Sequence, residues 1–143
     1  STVQRLQNMG IENFLITASL LMVQGQRLAR RICKNCRSEY TPDEAELRTL
    51  GFSPEDVDPD PVFYYGRGCE TCRHTGYKGR LGLYEVMLMT DRMRDSVMEN
   101  TSTNQFKRLA IEEGMETMRV AARNKVRQGA TTTAQAIELT MED

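Results

Sequence analysis

Two pairs of cysteines constrain this sequence more than any other feature: Cys33-Lys34-Asn35-Cys36 and Cys69-Glu70-Thr71-Cys72. These are all the cysteines of the chain, and their spacing is C-x2-C-x32-C-x2-C. Two residues between cysteines allow a tight turn that aims both sulfurs at one point, and two such knuckles close a tetrahedron. Zinc takes four thiolates in that arrangement and keeps no open position. The expected site is therefore one structural Zn2+ on Cys33, Cys36, Cys69 and Cys72, not a catalytic metal. The 32-residue gap is longer than in compact zinc ribbons, so an insert must loop out between the knuckles.

Other uses of paired cysteines stand beside this one. They can be redox dithiols, but neither pair sits in a thioredoxin-like βαβ pattern. They can be disulfides, but no charged leader followed by an apolar segment opens the sequence, so a reducing cytosol is expected. They can be unrelated thiols. A zinc with four thiolates carries a net charge of about −2, and the flanks are basic: Arg30, Arg31, Lys34 and Arg37 on one side, Arg73, Lys78 and Arg80 on the other. Those cations either partly neutralise the centre or form a nucleic-acid patch. The overall charge of −1 argues against binding that depends on broad phosphate neutralisation. His74, the only histidine, either replaces a cysteine ligand, serves as a base or is a polar loop residue, and no nucleophile motif surrounds it.

Around the knuckles the chain falls into three zones. Residues 1–32 read as helices ending in a short strand. Val3 and Leu6 share a face, Gly10 is a helix stop, and Phe14, Leu15, Ala18, Leu21, Met22 and Gly25 have the spacing of a buried helix stripe. Leu28, Arg30 and Ile32 alternate with Ala29 and Arg31 as a strand does. Residues 33–79 hold the cysteines and an acidic insert over 40–62. There Thr41 is expected to cap a short helix with Pro42 in its first position, ending near Leu50-Gly51, and Pro54, Pro59 and Pro61 make the rest loop. Residues 80–143 open on apolar residues of both parities from Leu81 to Met89, a strand expected to be buried on both faces. Four helices follow, capped at Thr90 or Asp91, Thr101 to Thr103, and Thr131 to Thr133. Their stripes are Met93/Val97, Phe106/Leu109/Ala110, Met115/Met118/Ala122/Val126 and Ala134/Ile137/Met141. The expected class is α/β, mostly helical, closing on a small helical bundle.

The residues also exclude functions. The longest apolar stretch, Phe14 to Val23, is broken by Thr17 and Ser19 and falls short of the roughly 18–20 residues of a membrane span. There is no G-x-x-x-x-G-K-[ST] phosphate loop and no G-x-G-x-x-G. Gly66-Arg67-Gly68 and Gly76-Tyr77-Lys78-Gly79 are turns that serve tight geometry beside the second knuckle. The opening Ser1-Thr2-Val3-Gln4-Arg5-Leu6 reads like the middle of a helix, so the chain is expected to be a piece of a longer protein.

The block from Gly66 to Glu85, Gly-Arg-Gly-Cys-Glu-Thr-Cys-Arg-His-Thr-Gly-Tyr-Lys-Gly-Arg-Leu-Gly-Leu-Tyr-Glu, closely resembles the second half of the tetracysteine motif of bacterial secretion ATPases. These are the GspE-like and PilB-like motors of type II secretion and type IV pilus assembly. Arg5-Leu6, Met9-Gly10, Phe14-Leu15, Ala18-Ser19-Leu20 and Gln26-Arg27-Leu28 resemble the family's segment between the histidine box and the first cysteine pair. The resemblance covers essentially the whole chain. It implies residues 1–32 as the end of a RecA-like ATPase core, 33–79 as a tetracysteine zinc-binding insertion, and 80–143 as a buried strand with a C-terminal helical subdomain. It further implies a cytoplasmic homo-hexamer that uses ATP and Mg2+ and lies against the inner membrane through a platform partner and other secretion or pilus assembly proteins. The catalytic boxes of the family have no counterpart in this sequence, so the chain alone is expected not to hydrolyse ATP. Arg80 matches a family arginine that is a candidate for reaching a neighbouring subunit's nucleotide. The competing classes are a stand-alone zinc ribbon that binds nucleic acid and a dithiol redox protein.

Overall fold

The computed structural model describes residues 1–53 and 62–141. The proline-rich loop expected at Pro54, Pro59 and Pro61 lies outside the described residues. In chain order the elements are α1 (Thr2–Asn8), α2 (Asn13–Ser19), β1 (Met22–Ile32), β2 (Arg37–Tyr40), α3 (Glu44–Leu50), β3 (Phe63–Gly66), β4 (Tyr77–Leu88), α4 (Asp91–Met98), α5 (Thr103–Glu112), α6 (Met118–Arg127) and α7 (Thr133–Thr140). Strands β1 and β4 make one two-stranded sheet and β2 and β3 another. The class is mixed α/β. Among the described residues no helix is long and apolar enough to cross a membrane.

The chain divides into two compact units, each discontinuous in sequence: residues 1–25 with 85–117, and residues 26–84 with 118–143. The helices after β4 are thus shared, α4 and α5 belonging to the first unit and α6 and α7 to the second.

In the first unit the core is Val3, Ile16, Met87, Met89, Met93, Val97, Phe106 and Ala110. The helix starts follow from cap chemistry. Thr90 accepts the Met93 N–H at the head of α4, and Ser102 with Gln105 forms a capping box on α5. Gly10 takes φ +87° after α1, a left-handed turn that suits glycine. Side chains then fasten α2 to α4: the Asn13 amide donates to the Val97 carbonyl at 3.1 Å, and Arg94 Nε donates to the Thr17 carbonyl at 3.2 Å. The long stripe read over Phe14 to Gly25 is corrected here. The helix stops at Ser19, Leu20 turns extended, and Met22 already starts β1. Ile16 is the buried residue of α2, whereas Phe14, Leu15, Leu21 and Met22 are exposed. Apolar spacing alone could not separate a helix running into a strand from one long helix.

The second unit packs Ala29, Leu50, Phe52, Phe63, Leu81, Leu83, Met118, Ala122, Val126 and Ala136 into one core. Helix α3 is capped by Asp43, which accepts the Glu46 N–H at 2.8 Å, so the cap stands two residues beyond Thr41 and Pro42 precedes the helix. The helix ends on Gly51 in the left-handed conformation, φ +80°. Glu46 then accepts hydrogen bonds from the Tyr40 hydroxyl at 2.6 Å and the Thr133 hydroxyl at 2.9 Å, joining β2, α3 and α7. That bond to Glu46, with burial behind it, raises the Tyr40 pKa. The buried residues of α7 are Thr133, Gln135, Ala136 and Thr140, and Met141 is exposed. The stripe expected at Ala134, Ile137 and Met141 is therefore rotated by one residue, because hydrogen-bonded threonines occupy the inner face.

Strand β4 is also corrected. It begins at Tyr77, so Arg80 is its fourth residue rather than its opening one. Leu81, Leu83 and Met87 are buried, but Tyr84, Val86 and Leu88 on the alternate side are exposed. An apolar residue on both parities does not by itself require cover on both faces of a strand; within the chain, the cores use the odd positions.

Candidate metal centre

The second unit brings the four cysteines together. Their sulfurs all lie within 4.8 Å of one another. Cys33 and Cys69 are 3.8 Å apart, Cys36 and Cys72 3.8 Å, and Cys69 and Cys72 3.7 Å, and all four are free thiols. A metal about 2.3 Å from each of four tetrahedral thiolates would set them about 3.8 Å apart, the separation of these three pairs. The donor set therefore fits a divalent metal of thiolate preference, and it leaves no open coordination position.

Local structure explains the convergence. Strand β1 delivers Cys33 directly after Ile32, and its last residues are held by the segment before α7. The Ile32 N–H donates to the Ala130 carbonyl at 3.0 Å, and the Thr131 hydroxyl donates to the Arg30 carbonyl at 2.8 Å. Cys36 leads into β2, which pairs antiparallel with β3 so that Arg37 faces Gly66 and Tyr40 faces Phe63. This ribbon carries the chain back from the insert to Gly68 and Cys69. The second knuckle closes with the His74 N–H on the Cys69 carbonyl at 2.7 Å. Arg73 and His74 take left-handed backbone, φ 54° and 62°, as the turn requires. Tyr77, where β4 leaves the knuckle, hydrogen-bonds the Thr132 hydroxyl at 2.8 Å.

The two knuckles touch backbone to backbone. The Cys33 N–H donates to the Gly76 carbonyl at 3.0 Å, and the Arg67 N–H to the Cys36 carbonyl at 3.1 Å. A Cβ on Gly66 would stand 2.0 Å from the Gly76 carbonyl oxygen, so the crossing excludes any side chain there. These glycines, read from sequence as turn residues, let the two ends of the second knuckle approach at main-chain distance.

Three backbone N–H groups point at sulfur: Gly68 at Cys36 (3.3 Å), Cys69 at Cys72 (3.3 Å) and Gly76 at Cys72 (3.2 Å). The Asn35 amide adds a side-chain donor to Cys69 Sγ at 3.2 Å. Their effect on the thiols is uneven. Burial pushes Cys36 up to about 11 against the Gly68 N–H. Burial also opposes ionisation of Cys72, but the Cys69 and Gly76 N–H groups outweigh it and bring the thiol down to about 6. The Asn35 amide, then the Cys72 N–H, lower Cys69. A bound divalent cation would complete the deprotonation of all four.

The other singled-out residues stand around this centre in different ways. His74 is exposed on the second knuckle and is not in the four-cysteine cluster. Arg80 is exposed on β4. Arg30 lies over the Tyr77 ring at 4.3 Å and Arg37 over the Tyr64 ring at 3.5 Å, so two flanking cations are engaged with aromatic faces. The sequence pattern gave no sign of Asn35 as a donor, because a side chain reaching a sulfur 34 residues away depends on the closed fold.

Comparison with known proteins agrees over nearly the full length. A family model described as Type II/IV secretion system protein matches residues 1–138. The type IV pilus assembly ATPase PilB of Thermus thermophilus is 39% identical over 98% of this chain and 16% of its own length. The protein of the same name from Myxococcus xanthus is 39% identical over 99% of this chain and 25% of its length. The type II secretion system protein E of Pseudomonas aeruginosa is 38% identical over 99% of this chain and 27% of its length. The chain thus spans between a sixth and just over a quarter of these relatives.

Proposed function

Because the chain belongs to the Type II/IV secretion system protein family of GspE-like and PilB-like ATPases, we propose that it is the zinc-stabilised C-terminal part of a hexameric motor that powers type II secretion or type IV pilus assembly. The observation that carries this reading is a four-cysteine cluster of tetrahedral dimensions within a chain that aligns over 99% of its own length with part of such an ATPase. One Zn2+ on Cys33, Cys36, Cys69 and Cys72 replaces the apolar core that a ribbon of this size lacks, and it fixes the exit of β1 against the entry of β4.

In this reading residues 1–32 end the RecA-like core, 33–79 are the zinc-binding insertion, and 80–143 carry a strand and the C-terminal helices. The parent binds ATP and Mg2+ with residues outside this sequence, acts in the cytoplasm, and docks on an inner-membrane platform. Phosphoryl transfer needs a phosphate cradle, a magnesium site and a residue that positions the nucleophile, so the chain alone is bound to be inactive. Arg80, exposed and three residues into β4, is available to stabilise phosphate charge across a subunit boundary, since a guanidinium is always charged and bonds oxygens in a fork.

The test replaces Cys33 and Cys36 by serine in a full-length protein carrying this chain. Zinc content, hexamer formation and ATPase rate are measured on one preparation. Loss of zinc with a fall in assembly or turnover is expected. A zinc-free variant that assembles and hydrolyses ATP at the unaltered rate would refute the role given to the metal.

A further inference from the structure

We propose that Asn35 is a positioning residue of the metal centre, a clasp by which the first knuckle holds a sulfur of the second. The inference rests on the zinc reading above and concerns a residue that is not itself a ligand. Asn35 lies between Cys33 and Cys36, yet its amide nitrogen donates to Cys69 Sγ at 3.2 Å. Among the described residues, and apart from the thiols themselves, it is the one side chain that donates to any of the four sulfurs; the other donors are backbone N–H groups.

The distribution of those donors gives Asn35 its purpose. Cys33 and Cys72 are buried, at 1% and 5% exposure, so the protein itself shields them from water. Cys36 and Cys69 are only half-buried. Cys36 receives the Gly68 N–H, which the turn fixes in place. Cys69 has the Cys72 N–H of its own knuckle beside it, and Asn35 adds a donor from across the site at 3.2 Å. A thiolate facing water without a donor is the sulfur most open to proton capture and ligand exchange. An amide there disperses thiolate charge without adding a competing cation, and it holds the sulfur at coordinating distance before metal arrives. Outer partners of this kind typically change metal affinity by about 10- to 100-fold when removed.

The test uses the whole chain loaded with zinc, and separately with Co2+ as a spectroscopic probe. Three variants are compared: Asn35→Ala removes the donor at no change of charge, Asn35→Asp keeps the shape but only accepts, and Asn35→Gln retains an amide. Zinc transfer to a colorimetric chelator is expected to be about 10- to 100-fold faster in Asn35→Ala, faster again in Asn35→Asp, and partly restored in Asn35→Gln. In the Co2+ form, loss of the N–H donor raises the sulfur lone pair, so the sulfur-to-cobalt charge-transfer band moves to lower energy in the first two variants. A purely structural Asn35 would leave that band in place. Unaltered chain that holds zinc, with Asn35→Ala and Asn35→Asp matching it in both release rate and band position, overturns this inference and leaves the zinc reading intact. Unaltered chain that holds no zinc overturns both.

Discussion

Replacing Gly66 by alanine should loosen the metal centre without touching a ligand. The added Cβ would meet the Gly76 carbonyl oxygen at 2.0 Å and the Gly76 carbonyl carbon and Cα at 2.6 Å each. Real Cβ contacts stay beyond 3.0 Å, so the two backbones must part by about 1 Å. Neither side has a rotamer that relieves the clash, since every atom involved is main chain. Overpacking of this kind costs about 1–3 kcal/mol, and the absence of a soft neighbour puts Gly66→Ala near the top of that range. Gly76 donates to Cys72 Sγ at 3.2 Å and accepts the Cys33 N–H at 3.0 Å, so the displacement falls on two ligands at once. If the strain is relieved when the metal leaves, about 3 kcal/mol corresponds to zinc affinity lower by about two orders of magnitude. Chelator competition reads the affinity, and amide hydrogen exchange over residues 33–80 reads the local loosening. Gly10→Ala is the control: it has φ +87° and nothing within 4 Å of the new Cβ, so it carries a backbone strain that Gly66, outside the left-handed region, does not, and no clash. Zinc affinity and exchange in Gly66→Ala equal to those in the control would refute the argument.

Three further outcomes are expected. Cys69→Ser should abolish tight zinc binding and speed hydrogen exchange over residues 33–80 well before it affects α4 and α5, whose core contains no residue of the knuckles. Glu46→Ala leaves the Tyr40 and Thr133 hydroxyls without their acceptor and should cost about 2 kcal/mol, read as a lower denaturant midpoint at unchanged zinc content. In a full-length hexameric parent, Arg80→Ala should keep zinc and assembly while ATPase turnover falls by about 10³-fold or more, the scale of an arginine acting in trans. Near-normal turnover in a correctly assembled Arg80→Ala hexamer would remove Arg80 from the nucleotide site.

What the sequence disclosed depended on how local the governing physics is. The four sulfurs converge as their spacing required, because a C-x2-C turn is decided within four residues. Thr90, Ser102 and Thr132 cap helices where hydroxyls precede apolar stripes, which is again a local event. The misreadings arose where tertiary cover decides. Phe14 and Leu15 do lie on helix α2 but are exposed, and Leu21 falls beyond its end because β1 starts at Met22. Tyr84, Val86 and Leu88 look like core from composition, yet only the opposite side of β4 enters the cores. The inner face of α7 is built of threonines whose hydroxyls find acceptors only after folding, so an apolar template picked the wrong face. Asn35 was illegible because its partner Cys69 lies beyond the whole insert, and the Gly66–Gly76 crossing because it forms only once the second knuckle has closed.

The central claim is that four cysteine thiolates hold one zinc in this chain. X-ray absorption at the zinc edge, combined with metal analysis of protein purified under reducing conditions, tests it most directly. The account predicts one zinc per chain in a shell of four sulfurs at about 2.3 Å. Zinc absent, a shell containing nitrogen or oxygen in place of a sulfur, or a disulfide within either cysteine pair would contradict it.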